Sequence, residues 1–421
     1  MSKEEKRAPE VRFEGFHDDW KQRKLGDHAI IKGRLGWKNL KQEEYLPTGP
    51  NMIAGRHISD GMIDWKKVNH IPEWRYEESP EIMLENGDII FTKDGSLGNP
   101  ALVTYLPDKS TINSTMMLVR TDDTIDSGFF YQILQSKQFQ KLIYLKVSGS
   151  SVPHLFQADM NKFYFFAPTV YEQKMLNALL SKIEVSIALH QRKLEQLRDF
   201  KKAALQFLFP QTGETEPKVR FANFNDIWKQ RKLNEVGSNI SDGDWIEKKH
   251  IFSQGEYRII QTGNLGEGVF LDKKSNAKYL YQKDFDELKA NEIFPGDLLI
   301  SRLAEPAGRT IILPDINYKM VTSVDVTIIR KDDKKFDSTF FMSQMNWLKT
   351  LHEISKKVTG TSHKRISRKN LEKTLLAIPS LEEQNKIGFF FKQIDDTIAF
   401  YQAKLVKLQD IKKAFLQKLF I

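Results

Sequence analysis

The residues able to do chemistry are few, and their spacing argues against a catalytic chain. The nine histidines are His17, His28, His57, His70, His154, His190, His250, His352 and His363. No two stand three or four apart, so no helix presents an HExxH-type pair to a metal ion. There is no cysteine, which removes disulfides, thiolate-ligated zinc, iron–sulfur clusters and thiol nucleophiles together. No GxxxxGKS/T run offers a cradle for ATP phosphates, and no GxGxxG loop offers one for a dinucleotide. A tetrad of Asn/Asp/Ser, two prolines and an aromatic would be expected of an amino-methyltransferase that holds a flipped adenine. It is missing, because Asn99-Pro100 lacks the second proline. One catalytic outline exists. Pro314-Asp315 followed by Asp332-Asp333-Lys334 has the order of a nuclease motif in which two acids hold Mg²⁺ and a lysine polarises water. The matching stretch of the first half has Pro107-Asp108 and then Thr121-Asp122-Asp123-Thr124, without lysine. Leu-Pro-Asp in both halves reads as a hairpin turn and Asp332–Lys335 as a solvated loop. A single-chain nuclease using Asp315, Asp332 and Lys334 is therefore the weaker alternative, and no metal site is expected.

Lysine and arginine make binding the better reading. They cluster in loops: Lys32, Arg34 and Lys38 around Trp37, then Arg56-His57 and Lys66-Lys67, and in the second half Lys248-Lys249, Lys273-Lys274 and Arg302. The run KKVTGTSHKRISRK (356–369) carries six Lys or Arg residues besides His363. Such side chains give salt-dependent phosphate contacts, and Arg can pair bidentately with guanine. Gly149-Ser150-Ser151 and Gly360-Thr361-Ser362 each precede a helix-like segment, where small hydroxyl residues and free N–H groups suit a phosphate. Each residue taken singly reads as solvated surface; the whole 356–369 run favours nucleic acid. Its counterpart in the first half, KVSGSSVPHLFQADMNK, is much less basic, so the two halves are expected to bind unequally.

The elements that must position these loops are written twice. VRFEGFHDDWKQRKLG (11–26) matches VRFANFNDIWKQRKLN (219–234) at 11 of 16 positions, at an offset of 208. FKKAALQFLF (200–209) matches IKKAFLQKLF (411–420) at seven of 10, at an offset of 211. Between these ends the order is kept while the match fades: NGDIIFTKDGSLG faces PGDLLISRLAEPAG, KVSGSSVPHL faces KVTGTSHKRI, and APTVYEQKML faces IPSLEEQNKI. Each half closes on a heptad seam. Leu176, Leu180, Ile183, Ile187, His190, Leu194, Leu197, Lys201, Ala204 and Leu208 are spaced 4, 3, 4, 3. Ile387, Phe391, Ile394, Ile398, Tyr401, Leu405, Leu408, Lys412, Phe415 and Leu419 repeat the pattern, with a lysine at the same place and His190 as a packed polar residue that sets register. A helix of about 38 residues is roughly 57 Å long, and one apolar stripe needs a partner. The linker PQTGETEPKV (210–219) reaches at most about 35 Å, too short to run back along such a helix. The reading is two antiparallel helices with a globular unit at each end. DIIFT, TMMLVR, DLLIS, RTIIL and VDVTIIR read as strands, and 129–146 and 339–357 as helices. The fold class is mixed α/β.

At 421 residues the chain suits two or three domains. Lys plus Arg is 64 against 55 Asp plus Glu, a net charge of +9 that suits a polyanion partner. The opening MSKEEKRAPEVRFEGF lacks the apolar stretch of a signal peptide, and no run of about 18 apolar residues offers a membrane span. With no cysteine, a reducing cytoplasm is the expected location.

The combination of WKQRKL twice, GDIIFTKDGSLG with GDLLISRLAEPAG, KVSGSS with KVTGTS, APTVYEQ with IPSLEEQ, and the paired helix ends resembles the DNA-specificity subunit of type I restriction–modification enzymes, over essentially the whole chain. The resemblance implies two target recognition domains (1–170 and 219–379), two spacer helices (171–209 and 380–421) and a linker (210–218). It implies a non-catalytic subunit that reads a bipartite double-stranded DNA site. Two modification subunits would methylate adenine using S-adenosylmethionine, and restriction subunits would add ATP- and Mg²⁺-dependent translocation and cleavage. No cofactor is expected on this chain. Three places become expected DNA contacts: Lys93 and Arg302 after the GDII/GDLL strands; Ser150, Ser151, Thr361 and Ser362 in the Gly-Ser/Thr loops; and His363, Lys364 and Arg365, with His154 as their weaker counterpart. A scaffold that never touches DNA is the remaining alternative, and it predicts no salt-dependent binding to duplex.

Overall fold

The structure is a computed structural model that describes residues 8–33, 40–148, 153–211, 214–237, 239–360 and 364–421. It divides into two units, 1–191 with 404–421 and 192–403. The first unit contains strands β1 (Lys21–Lys24), β2 (Ala29–Gly33), β3 (Ile89–Thr92), β4 (Gly98–Leu102), β5 (Met116–Thr121) and β6 (Tyr164–Ala167), and the start of the long helix α1 (Val170–Leu208). The second contains β7 (Lys229–Lys232), β8 (Ile240–Asp242), β9 (Leu298–Ser301), β10 (Thr310–Ile312), β11 (Val326–Ile329) and β12 (Leu375–Ile378), and the start of α2 (Leu381–Lys418). Sheet order repeats as well. β2-β5-β3-β4 and β8-β11-β9-β10 are four-stranded and antiparallel throughout, while β1 pairs with β6 and β7 with β12. A smaller sheet in each unit includes one parallel pair, Asn51 with Ser110 and Tyr257 with Lys319. Among the described residues no helix is long and apolar enough to cross a membrane.

The strands read from sequence fall on β3, β5, β9, β10 and β11. β3 and β9 are apolar at successive positions because both faces are covered. Ile89 and Phe91 face the helix-covered core and Ile90 the other; Leu298 and Ile300 face one core and Leu299 another. Each of the two mid-chain helices read from sequence is split in two. Ser127–Gln135 stops where the Ser136 hydroxyl donates to the Ile133 carbonyl at 2.7 Å. Ser338–Met345 stops where the Asn346 side chain turns to Thr310, accepting from its N–H at 3.0 Å and donating to its carbonyl at 2.7 Å.

The repeated ends form one clamp, built twice. Trp20 contacts Phe129 and Phe420 at ring-centroid distances of 5.9 and 6.3 Å; Trp228 contacts Phe340 and Phe209 at 5.8 and 6.1 Å. Arg12 grips Glu172 through two bonds of 2.7 and 2.8 Å, and Arg220 grips Glu383 at the same two distances. Both carboxylates are buried in the first turn of a long helix, and the fork of Arg matches them bidentately. The charge-assisted bonds to Glu172 and Glu383 hold the pKa of Arg12 and Arg220 above its ordinary value. Val219 N–H donates to the Phe207 carbonyl at 3.0 Å, and Val11 N–H to the Lys418 carbonyl at 3.0 Å. The VRF segment thus starts from a long-helix end in both units. In the second unit the chain runs straight from the end of α1 into it; in the first the helix end is that of α2.

Every seam position read from sequence is buried or half-buried. Leu180, Leu194, Phe391 and Ile394 are buried, and Ile183, Ile187, Leu197, Ile398, Leu405 and Leu408 half-buried. The seam lysines find carboxylates on the other long helix: Lys412 meets Glu184 at 2.8 Å in the first unit, and Lys201 meets Asp395 at 2.6 Å in the second. The helices run antiparallel where they meet in the second unit, since Phe209 contacts Phe391 while Lys201 pairs with Asp395. His190 Nδ1 donates to the Ser186 carbonyl one turn back at 2.7 Å. Gly388, in the early turns of α2, allows a close approach: a Cβ there would clash with Asp337 Oδ1. The equivalent Asn177 instead donates to Asp126 Oδ1 at 3.1 Å.

Candidate nucleic-acid interface

One edge of each four-stranded sheet gathers the singled-out residues. In the second unit Ser301 pairs with Val326 and Asp242 with Thr327, so the end of β9, the start of β11 and the end of β8 lie side by side. The chain thereby delivers Arg302, the turn Val324-Asp325 and the segment Asp242–Trp245 to one place. Arg302 N–H donates to the Asp325 carbonyl at 2.8 Å, and Ile366 N–H donates to the Arg302 carbonyl at 3.0 Å. Leu303 and Arg365 form a β-bridge. The first unit has the same backbone: Lys93 N–H donates to Thr115 at 2.9 Å, Leu155 N–H donates to Lys93 at 2.9 Å, and Asp94 bridges His154.

The side chains on these frames differ. Arg302 is only 4% exposed. Its guanidinium donates to the Val324 carbonyl and stands 3.2 Å from Asp242 Oδ2. Asp242 also accepts from the Thr327 hydroxyl at 2.8 Å. Arg365 Nε lies 2.7 Å from Asp325 Oδ1, and Arg368 lies 3.7 Å from Asp242 and 3.2 Å from Glu372. Lys364 pairs with Glu305 at 3.0 Å. Burial pushes the Arg302 pKa below its ordinary value; Asp242 opposes this, and Arg365 and Arg368 add to it. Of the three guanidiniums, Arg365 and Arg368 are the ones placed to meet an anion. The Arg365 and Arg368 side chains are 44% and 47% exposed, so their heads can reach one.

In the first unit Lys93 Nζ lies 3.2 Å from Asp94 Oδ2, and His154 Nδ1 donates to Asp94 Oδ1. The His154 ring lies 4.2 Å from Phe156. One carboxylate thus takes both Lys93 and His154.

The structure brings Lys93 and His154 together in one unit, and Arg302, Lys364 and Arg365 in the other. Ser150, Ser151, Thr361, Ser362 and His363 lie outside the described residues. Arg302 takes an interior place because β-strand geometry turns it between Asp242 and Val324 rather than outward. Asp94, Asp242, Asp325 and Trp245 were not singled out from sequence. Arg368 stood inside the basic run, but the acids had no local pattern, because strand order alone collects them.

The motif residues elsewhere have structural duties. In NGDII and PGDLL the aspartate is buried and accepts from an arginine at or just past the end of the neighbouring strand. Arg120 Nε stands 2.7 Å from Asp88, and Arg330 stands 2.5 Å from Asp297. Asp315 caps a turn by accepting from Asn317 N–H at 2.8 Å, and Asp332 accepts from Lys334 N–H at 3.3 Å. These are the turn and loop roles read from sequence. Among the described residues one group, His250, Asp284 and Glu287, brings metal-type ligand atoms within 4.8 Å of one another. There His250 Nδ1 is committed to Asp284 at 2.6 Å and Glu287 is exposed, so the group reads as a brace between His250 and the helix Gln282–Leu288.

Comparison with known proteins agrees with the duplicated architecture. The family model described as type I restriction modification DNA specificity domain matches residues 17–199 and again 225–410. The type I restriction enzyme MjaVIII specificity subunit of Methanocaldococcus jannaschii is 23% identical over 415 residues, 96% of this chain and 92% of that protein. The crystal structure of the type I restriction-modification S subunit from M. genitalium superposes with a TM-score of 0.64 at 15% identity, covering 98% of this chain and 99% of that one. A chain from a structure describing assembly and conformational transition of the type I R-M system gives a TM-score of 0.52 at 18% identity, over 95% and 97%. With the family model matched over most of its length, this chain belongs to the type I restriction modification DNA specificity domain family.

Proposed function

We propose that this chain reads a bipartite DNA site for a type I restriction–modification complex, each unit supplying one reading surface at its sheet edge. Family membership gives DNA sequence specificity as the coarse function. The observation that carries the finer reading is the repeated edge: the same backbone bonds around Lys93 and Arg302, loaded with different cations. Lys93, His154, Lys364 and Arg365, with Ser150, Ser151, Thr361, Ser362 and His363, are the contacts proposed; Arg302 acts from beneath as a positioning residue. The domains proposed are 1–170 and 219–379, with 171–209 and 380–421 as spacer helices acting as a ruler. Two modification subunits and the restriction subunits are the partners proposed, and they carry S-adenosylmethionine, ATP and Mg²⁺. Leu189 and Phe400 support partner docking: they stand at equivalent positions of the two helices, off the seam, each 60% exposed.

The test is co-expression with a cognate modification subunit and sequencing of host DNA for N6-methyladenine. The reading expects one split motif with a fixed gap. Four residues inserted near Leu197 should change that gap and leave the bases unchanged. An unchanged gap removes the ruler. Copurification of an active modification subunit without any motif would favour a scaffold.

A further inference from the structure

We propose that Trp245 is a base-contacting residue of the second unit, its indole stacking on or wedging between base pairs of the duplex whose phosphates the neighbouring arginines hold. The inference rests on the nucleic-acid reading above and adds contact with bases to contact with backbone.

Trp245 is 72% exposed, more than any other large apolar side chain among the described residues. A tryptophan commonly buries 150–250 Å², so this one keeps most of an apolar face open to a partner. The exposure is built rather than slack. Just ahead of it, Gly243 N–H donates to Val326 and Asp244 N–H to Thr322, both at 2.9 Å. The Asp244 carboxylate accepts from Asn291 N–H at 2.7 Å and from its side-chain amide at 2.9 Å. A Cβ at Gly243 would meet the Ser323 carbonyl oxygen at 2.4 Å, so glycine is what lets this segment lie so close to the turn before β11. Just after, Ile246 packs against the core around Tyr257 and Ile259. The indole therefore projects from a segment pinned on both sides, which lowers the ordering cost of any contact it makes.

Its neighbours identify the partner. Asp242, three residues earlier, holds Arg302 and Arg368, and the turn that pins Gly243 and Asp244 also supplies Val324 and Asp325 to Arg302 and Arg365. Lys248 and Lys249 follow. A rigid exposed aromatic on a segment bonded to the turn that partners exposed arginines is a combination suited to stacking on bases, or unstacking a step, while the backbone is held. A protein partner would need acidic groups facing these cations to replace what phosphates supply.

The test begins by selecting a duplex from a randomised 40-base-pair pool with the full-length chain. Wild type, W245A, W245F and R365A are then titrated with that duplex over a salt series. W245A should bind about tenfold or more weakly with an unchanged salt slope, W245F should stay within about threefold, and R365A should lose about one unit of slope. The fluorescence difference between wild type and W245F should be quenched on binding. W245A binding like wild type while R365A weakens overturns the Trp245 assignment and leaves the function standing. If both variants bind like wild type, the assignment and the proposed interface fall together. If W245A keeps its duplex affinity but loses a copurifying modification subunit, the surface belongs to protein and the assignment is overturned.

Discussion

Two sheet edges in this molecule share their backbone bonds and differ in their charges. Around Lys93 one aspartate, Asp94, takes both a lysine and a histidine. Around Arg302 two aspartates are set among three arginines, two of them nearly half exposed. The clamps of the two units are almost copies, down to the distances of the Arg12–Glu172 and Arg220–Glu383 forks. The difference teaches that the frame and the surface answer to different constraints. Main-chain bonds hold both edges in the same frame, so the exposed cations Arg365 and Arg368 can change at less cost to the fold than the buried Arg302.

Breaking the clamp is the harshest way to test this division. Arg220→Ala and Arg12→Ala each strand a buried glutamate, and each should destabilise its own unit by about 3–5 kcal/mol. Denaturant unfolding of the full chain, followed by probes in each unit, reads this. A loss under about 1 kcal/mol in one unit alone would show that the clamps are not equivalent. The seam comes next. Leu194→Ala empties a buried site and should cost about 2–5 kcal/mol, whereas Leu405→Ala, at a half-buried position, should cost less. Equal losses would mean that side-chain burial does not rank the seam.

Smaller effects bear on the edges. Arg365→Ala should lower the salt slope of duplex binding by about one, because it removes a phosphate-reaching cation. His154→Ala should lower it less, since Asp94 already holds that ring. Salt titrations giving His154→Ala the larger drop would reverse the ranking of the two surfaces.

The smallest effect expected concerns pH. His57 is buried, and its Nδ1 accepts from Ala54 N–H at 3.0 Å. Burial, and then Arg56, hold its pKa below the ordinary value. The unfolded chain takes up that proton near pH 6.5, and the folded chain resists it. The stabilisation from neutral His57 is therefore complete above about pH 6.5 and is lost as pH falls through the lower folded pKa. In the second unit Asn264 accepts from Gln261 N–H at 2.9 Å in the same kind of turn and does not titrate. His57→Asn should flatten the acid limb of the first unit's stability, and melting curves between pH 5 and 8 would show a retained limb if His57 is not its source.

The sequence by itself determined the duplication, the mixed α/β class, the strands GDIIF and GDLLI, and two long helices with their inward faces. Those signals are local: a repeat offset, a heptad spacing and an apolar run can all be read without knowing what lies opposite. Tertiary structure decided what each charge does. Arg302 reads as a surface contact in sequence and is an interior anchor, because the order β8-β11-β9 sets Asp242 and the Val324 carbonyl beside it. Arg12 and Glu172 lie 160 residues apart and meet in a buried fork. Asp94, Asp242 and Asp325 carry no spacing signal, and Trp245 stands out once the hydrogen bonds of Gly243 and Asp244 are seen to hold it in the open. Electrostatic partnership depends on distances of a few ångströms between residues far apart in the chain, and strand order and register alone fix those distances.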